Sequence, residues 1–143
     1  MLLIHDENYI EIKVIGYEYP VIERKNDTGF DYDLNWLMLY VNKRVDDKRV
    51  KGIFPCFLTT DIKRFLKLLI DFQSGKVSSL GFGGIEPNFC VEIEQGILSV
   101  FFYGEDGKEE FPDVKKFVKP VTDHDIQAFI SFCKDSMANY PLR

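Results

Sequence analysis

The chain has 143 residues, 45% hydrophobic and 15% aromatic, with 29% charged and a net charge of -5. One domain of that length removes roughly 68% of its unfolded surface from water, so it needs neither disulfide nor metal to fold, and the composition excludes a disordered or membrane-embedded chain. No apolar run reaches the ~20 residues of a transmembrane helix, and the stretch from Met1 to Glu7 lacks the basic segment and long apolar run of a signal peptide.

A cytoplasmic protein without membrane contact is therefore expected. The negative balance also argues against a nucleic-acid binder working through phosphate contacts. The acidity is local: Glu86, Glu92, Glu94, Glu105, Asp106, Glu109, Glu110 and Asp113 face the single Lys108, while the remaining 15 acids and 17 bases leave the rest of the chain slightly basic. A local field of that kind can steer a partner.

No repeat or linker divides the sequence, so residues 1–143 are taken as a single globular domain. The first strand is expected from Tyr9 to Ile15, where Ile10, Ile12 and Val14 alternate with Glu11 and Lys13. Leu34 to Val45 is the second, with Trp36, Met38 and Tyr40 on one face and Leu37, Leu39 and Val41 on the other. Two apolar faces predict a central strand covered on both sides, with Trp36 in the core and with Asp33 and Asn35 satisfying backbone groups at the strand entry. Asp46-Asp47 turns the chain into a third strand, Arg49 to Leu58.

Thr59-Thr60-Asp61 supplies a hydroxyl cap and a first-turn acid for a helix running to about Phe72, stopped by Ser74-Gly75. A second helix begins at Thr122, whose hydroxyl forms a capping box with Asp125, and carries an apolar stripe of Ile126, Phe129, Ile130, Cys133 and Met137. Between the helices, Gln95-Gly96 as a two-residue turn sets Ile93 opposite Leu98, Val91 opposite Val100 and Phe89 opposite Phe102 on a buried face. The other face pairs Glu94 with Ile97, Glu92 with Ser99, Cys90 with Phe101 and Asn88 with Tyr103. A further turn at Asp106-Gly107 places Glu110 opposite Tyr103, and a short strand is possible at residues 114 to 118. The expected fold is α+β, a mainly antiparallel sheet of about six strands with two helices in βββα-βββα order. Which sheet face each helix covers stays open.

Reaction chemistry has little support in the sequence. Cys56, Cys90 and Cys133 form no C-x-x-C, and His5 and His124 form no metal-binding spacing. Gly81-Phe82-Gly83-Gly84 lacks the lysine and spacing of a phosphate loop and reads as a bulge or turn. Glu105, Asp106, Glu109 and Glu110 do not fit a calcium loop. No metal or cofactor is expected. The strongest constellation is a partner-binding one: Phe101 and Tyr103 gathered with Glu92, Glu94 and Glu110, aromatic anchors ringed by acids that suit a cationic protein surface. The competing arrangement has helix two or another segment covering those aromatics.

Tyr17-Glu18-Tyr19-Pro20, then Asp33-Leu34-Asn35-Trp36-Leu37, then Phe57-Leu58-Thr59-Thr60 leading into the helix at Asp61, resemble the pattern of the WapI family of bacterial immunity proteins. The resemblance covers mainly residues 9 to 72. It implies a small cytoplasmic protein of contact-dependent or polymorphic toxin systems, which neutralises a cognate toxin domain, in some systems a nuclease. The expectation is thus a non-enzymatic immunity protein whose partner is a basic toxin domain. Two alternatives stand beside it: a small enzyme or ligand-binding domain using Cys56 or Cys90 with His124, and a structural assembly subunit.

Overall fold

In the computed structural model, residues 1–5, 7–19, 33–84, 89–102 and 116–143 are described. They form β1 (Leu2–His5), β2 (Tyr9–Tyr17), β3 (Trp36–Val45), β4 (Lys48–Leu58), α1 (Thr59–Gln73), β5 (Leu80–Gly83), β6 (Cys90–Glu94), β7 (Ile97–Phe101), β8 (Phe117–Pro120) and α2 (Asp123–Asn139), with one 3-10 turn at Asp33–Asn35 ahead of β3. The α+β class holds. The strand count does not: eight strands make two four-stranded antiparallel sheets, ordered β1-β2-β3-β4 and β5-β6-β7-β8, in place of one sheet of about six.

The missed strands have weak signatures for physical reasons. β1 alternates Leu2 and Ile4 inward but is only four residues long. In β5 the outer positions are Gly81 and Gly83, paired with Glu92 and Cys90, so residues that mark a turn in sequence here lie in an edge strand. The expected bulge or turn at 81–83 is corrected accordingly.

The inner faces of both sheets and the buried sides of both helices share one core. Phe57 of β4 contacts Phe82 of β5 and Phe89 at ring-centroid distances of 5.6 and 5.1 Å, and Phe65 of α1 stacks on Phe82 at 4.2 Å and meets Phe129 of α2 at 5.5 Å. Burial of each such side chain stabilises by about 1.5–3 kcal/mol, and here the same rings tie the two sheets together.

β3 is central by position, between β2 and β4, but only one of its faces is fully buried. Leu37, Leu39 and Val41 are buried, whereas Trp36, Met38 and Tyr40 are half-buried on the opposite face. Trp36 is therefore not a core residue. Both helices pack into the core that holds Leu37 and Leu39, which leaves the tryptophan side without a helix among the described residues.

Asn35 carries the buried polar role at the strand entry. Fully buried, it donates from Nδ2 to the main-chain oxygen of Arg143 at 3.2 Å, and its Oδ1 accepts from the Arg143 N–H at 2.9 Å and from the Thr59 hydroxyl at 3.2 Å. The backbone groups it satisfies lie 108 residues away, at the far end of the chain. The Thr59 hydroxyl is thereby taken from helix capping: Leu58 occupies the N-cap position of α1, and Asp61 accepts from the Leu58 N–H at 3.1 Å. Gly75, at φ +74, closes α1 with bonds from its own N–H to Phe72 and from the Lys76 N–H to Asp71, which needs the left-handed backbone glycine supplies.

α2 is held at both ends. Thr122 and Asp125 form the expected capping box, and Lys119 of β8 donates to both Asp125 carboxylate oxygens at 3.0 Å, with both side chains largely buried. Beyond its other end, Tyr140 packs edge-on against Tyr17 at 5.7 Å and donates to the Val14 carbonyl, while Tyr17 donates to that of Pro141. The Arg143 guanidinium lies 3.4 Å over the Tyr17 ring. Along the stripe, Phe132 is buried as well, whereas Met137 is exposed.

Candidate functional site

The β6–β7 hairpin is built as its sequence demands. Gln95 and Gly96 both adopt positive φ, 49° and 77°, the conformation whose twist suits a two-residue hairpin loop. The turn is tied to the next strand by the Val121 N–H, which donates to the Gly96 carbonyl at 2.9 Å. The pairs are Cys90–Phe101, Val91–Val100, Glu92–Ser99, Ile93–Leu98 and Glu94–Ile97, the register expected from sequence. Val91, Ile93, Leu98 and Val100 are buried, and the Phe89 and Phe102 rings meet at 5.2 Å.

Alternation then puts Glu92 and Glu94 on the outer face, where both are exposed. Gly81 lies beside Glu92 on β5, and a Cβ there would meet nothing within 4 Å, so that flank carries no side chain. On the other flank β8 contributes Val118 opposite Ser99 and Pro120 opposite Ile97. Ile97 and Val118 are exposed apolar residues, at 40% and 50%. Glu92, Glu94, Gln95, Ile97 and Ser99 line a shallow depression of about 250 Å³. Neither Ile97 nor Val118 is among the sequence-derived candidates; alternation in residues 117–120 was the available signal, and the strand is too short to show it.

The other expected members fare differently. Phe101 lies on this face by register, yet its ring is only 2% exposed, with the Lys116 ammonium 3.8 Å from the ring centroid. It is covered on that face and offers no free ring. Tyr103 and Glu110, with the Asp106-Gly107 turn, lie outside the described residues. Glu92 and Glu94, the described acids of the constellation, stand exposed on one face, as the hairpin pairing requires.

Cys90 and Cys133 lack the surroundings of a nucleophile. Burial pushes the Cys133 thiol up to about 12, and burial followed by the nearby Glu92 charge raises Cys90, against a weaker opposing pull from Lys116. A reactive cysteine needs the reverse shift. Cys56 is fully buried, and His124 is exposed in the first turn of α2. Among the described residues no group of His, Cys, Asp and Glu could hold a metal ion, and no helix is long and apolar enough to cross a membrane.

A family model for the WapI-like immunity proteins matches residues 1–141, the acidic hairpin included. The chain belongs to the WapI-like immunity protein family. That match extends well past the residue 9–72 stretch that carries the resemblance in sequence. No curated protein and no solved structure matches the chain. Family membership implies an immunity role with a cognate toxin as partner, and it favours a non-enzymatic function.

Proposed function

We propose that this WapI-like immunity protein neutralises its toxin without chemistry, by laying the outer face of the second sheet on a basic toxin domain, a nuclease being the class that fits best, and blocking substrate entry. The observation that carries this reading is the grouping of exposed Glu92 and Glu94 with exposed Ile97 and Val118 on one face of the second sheet. Apolar residues at the centre of a contact supply buried area, and the surrounding charge gives steering and choice of partner. In this reading Tyr103 and Glu110 extend the same face in the register argued from sequence, and Phe101, buried, contributes no contact of its own.

Two four-stranded sheets sharing one phenylalanine core give a preformed surface that loses little freedom on binding. Association is then fast and salt-sensitive, with rates reaching ~10⁸–10⁹ M⁻¹s⁻¹ at low salt. The test is co-expression of the chain with its cognate toxin domain. Growth rescue and a co-purifying complex are expected, both lost on Glu92→Lys with Glu94→Lys. Rescue that survives this double reversal places the contact elsewhere.

A further inference from the structure

The outer face of the first sheet has the opposite character. Across β2, β3 and β4 the register sets Lys13, Tyr40 and Ile53 in one row, Glu11, Asn42 and Lys51 in the next, and Tyr9, Arg44 and Arg49 in the third. Leu3 of β1 continues the middle row beside Glu11. Ile53 is 55% exposed and Leu3 44%, and Lys13, Arg44, Arg49 and Lys51 are all exposed.

The polar centre of this face is fixed in place. Asn42, buried at 6% exposure, accepts at Oδ1 from the Tyr9 hydroxyl and from Arg49 Nε at 3.2 and 2.9 Å, and donates from Nδ2 to Glu11 at 2.9 Å. That network uses the only carboxylate in the three rows. Lys13 and Lys51 enter no ion pair among the described residues. A face with surplus positive charge therefore sits on a chain whose net charge is -5.

We propose that this face, centred on Tyr40 and Ile53 and bordered by Lys13, Lys51, Arg44 and Arg49, is a docking surface for a second protein partner, one whose contact patch is apolar and carries carboxylates. Among the described residues Lys13 and Lys51 have no carboxylate partner, and a partner's acids supply them. The exposed apolar side chains of the face, Ile53 and Leu3, are aliphatic and gain from burial against another protein, whereas the rings on which a base could stack, Tyr9 and Tyr40, are half-buried and the Tyr9 hydroxyl is held by Asn42; this favours protein over single-stranded nucleic acid. A basic toxin that fits the second sheet is repelled here, so the two faces can be occupied at once by different partners.

The test is an amide-resolved NMR titration of the full chain with a short synthetic peptide alternating glutamate and leucine. Expected are shifts confined to β2, β3 and β4 around Lys13, Tyr40, Lys51 and Ile53, with affinity weakened about tenfold by high salt or by Lys13→Glu with Lys51→Glu, and weakened also by Ile53→Ser. These side chains are exposed, so an unchanged spectrum of each free variant shows that the fold is intact. Four outcomes overturn the proposal: no shifts on this face, equal shifts at the α1 bases Lys63, Arg64 and Lys67, tighter binding of an oligothymidylate to the same face, or self-association of the chain through it in the absence of peptide.

Discussion

The two sheets are built alike and finished differently. Each is a four-stranded antiparallel meander with its inner face in the common core. Outside, the first sheet carries aromatic, aliphatic and cationic side chains over long strands, whereas the second carries Glu92 and Glu94 beside Ile97 and Val118, with glycine at the outer positions of its edge strand β5. The inner faces decide whether the chain folds. The outer faces are free to differ, and their opposite charge makes them readable by opposite partners.

The same contrast appears in how each sheet grips α2. The second sheet holds its start by the Lys119–Asp125 pair, and the first holds the residues beyond its end through Asn35, Tyr17 and Val14. Substitutions can separate these joints from the outer faces. The largest effect is expected at Phe57, the ring shared by the two sheets: Phe57→Ala should cost about 3–5 kcal/mol in urea unfolding and loosen both sheets together. If amide exchange quickened in the first sheet only, the two would not be one cooperative unit.

Asn35→Ala comes next. It leaves the Arg143 main-chain groups and the Thr59 hydroxyl without their buried partner, an expected loss of about 1–3 kcal/mol, with faster exchange at the strand entry and unchanged exchange in the second sheet.

Asp125 gives a pH signature for the other joint. Burial alone would raise its carboxyl, but hydrogen bonds from Thr122 and Lys119, with the Lys119 charge, hold it below the ordinary 3.8. A carboxyl depressed in the fold contributes stability that is fully present above its unfolded value and lost as pH falls through the folded one. The urea midpoint should therefore drop as pH falls below about 4, and Asp125→Asn should flatten that drop while lowering stability at neutral pH. An identical pH profile in the variant would remove the joint from the account.

The smallest stability effects belong to the outer faces. Glu92→Gln with Glu94→Gln should stay within about 0.5 kcal/mol in unfolding, yet slow toxin association at low salt. Stability and binding thus separate on the faces and coincide in the core.

Much of this division was legible in the sequence, for reasons that also explain the failures. The Gln95-Gly96 turn fixes a period-two register, so every pair of the β6–β7 hairpin could be read in advance. The α2 capping box was equally local. The sheet count was not, because β1, β5 and β8 are four residues each and β5 hides its alternation behind glycines. Trp36 was misplaced since two apolar faces on β3 look alike until the helices choose one, a tertiary decision. Phe101 went the other way: the register gave its face correctly, but its burial, and its contact with Lys116 15 positions along, are tertiary features that no pairing pattern announces. Asn35 was expected to serve backbone groups, and does, though its partner at Arg143 could not be found from local spacing.

The central claim is that the acidic face of the second sheet captures the toxin. Its most direct test is the association rate of the purified chain with the cognate toxin domain at low and high salt, for the native protein and for Glu92→Lys with Glu94→Lys. The account predicts a fast, strongly salt-dependent rate in the native protein and a slow, nearly salt-independent one in the variant. Equal rates and equal salt dependence for the two proteins would contradict it.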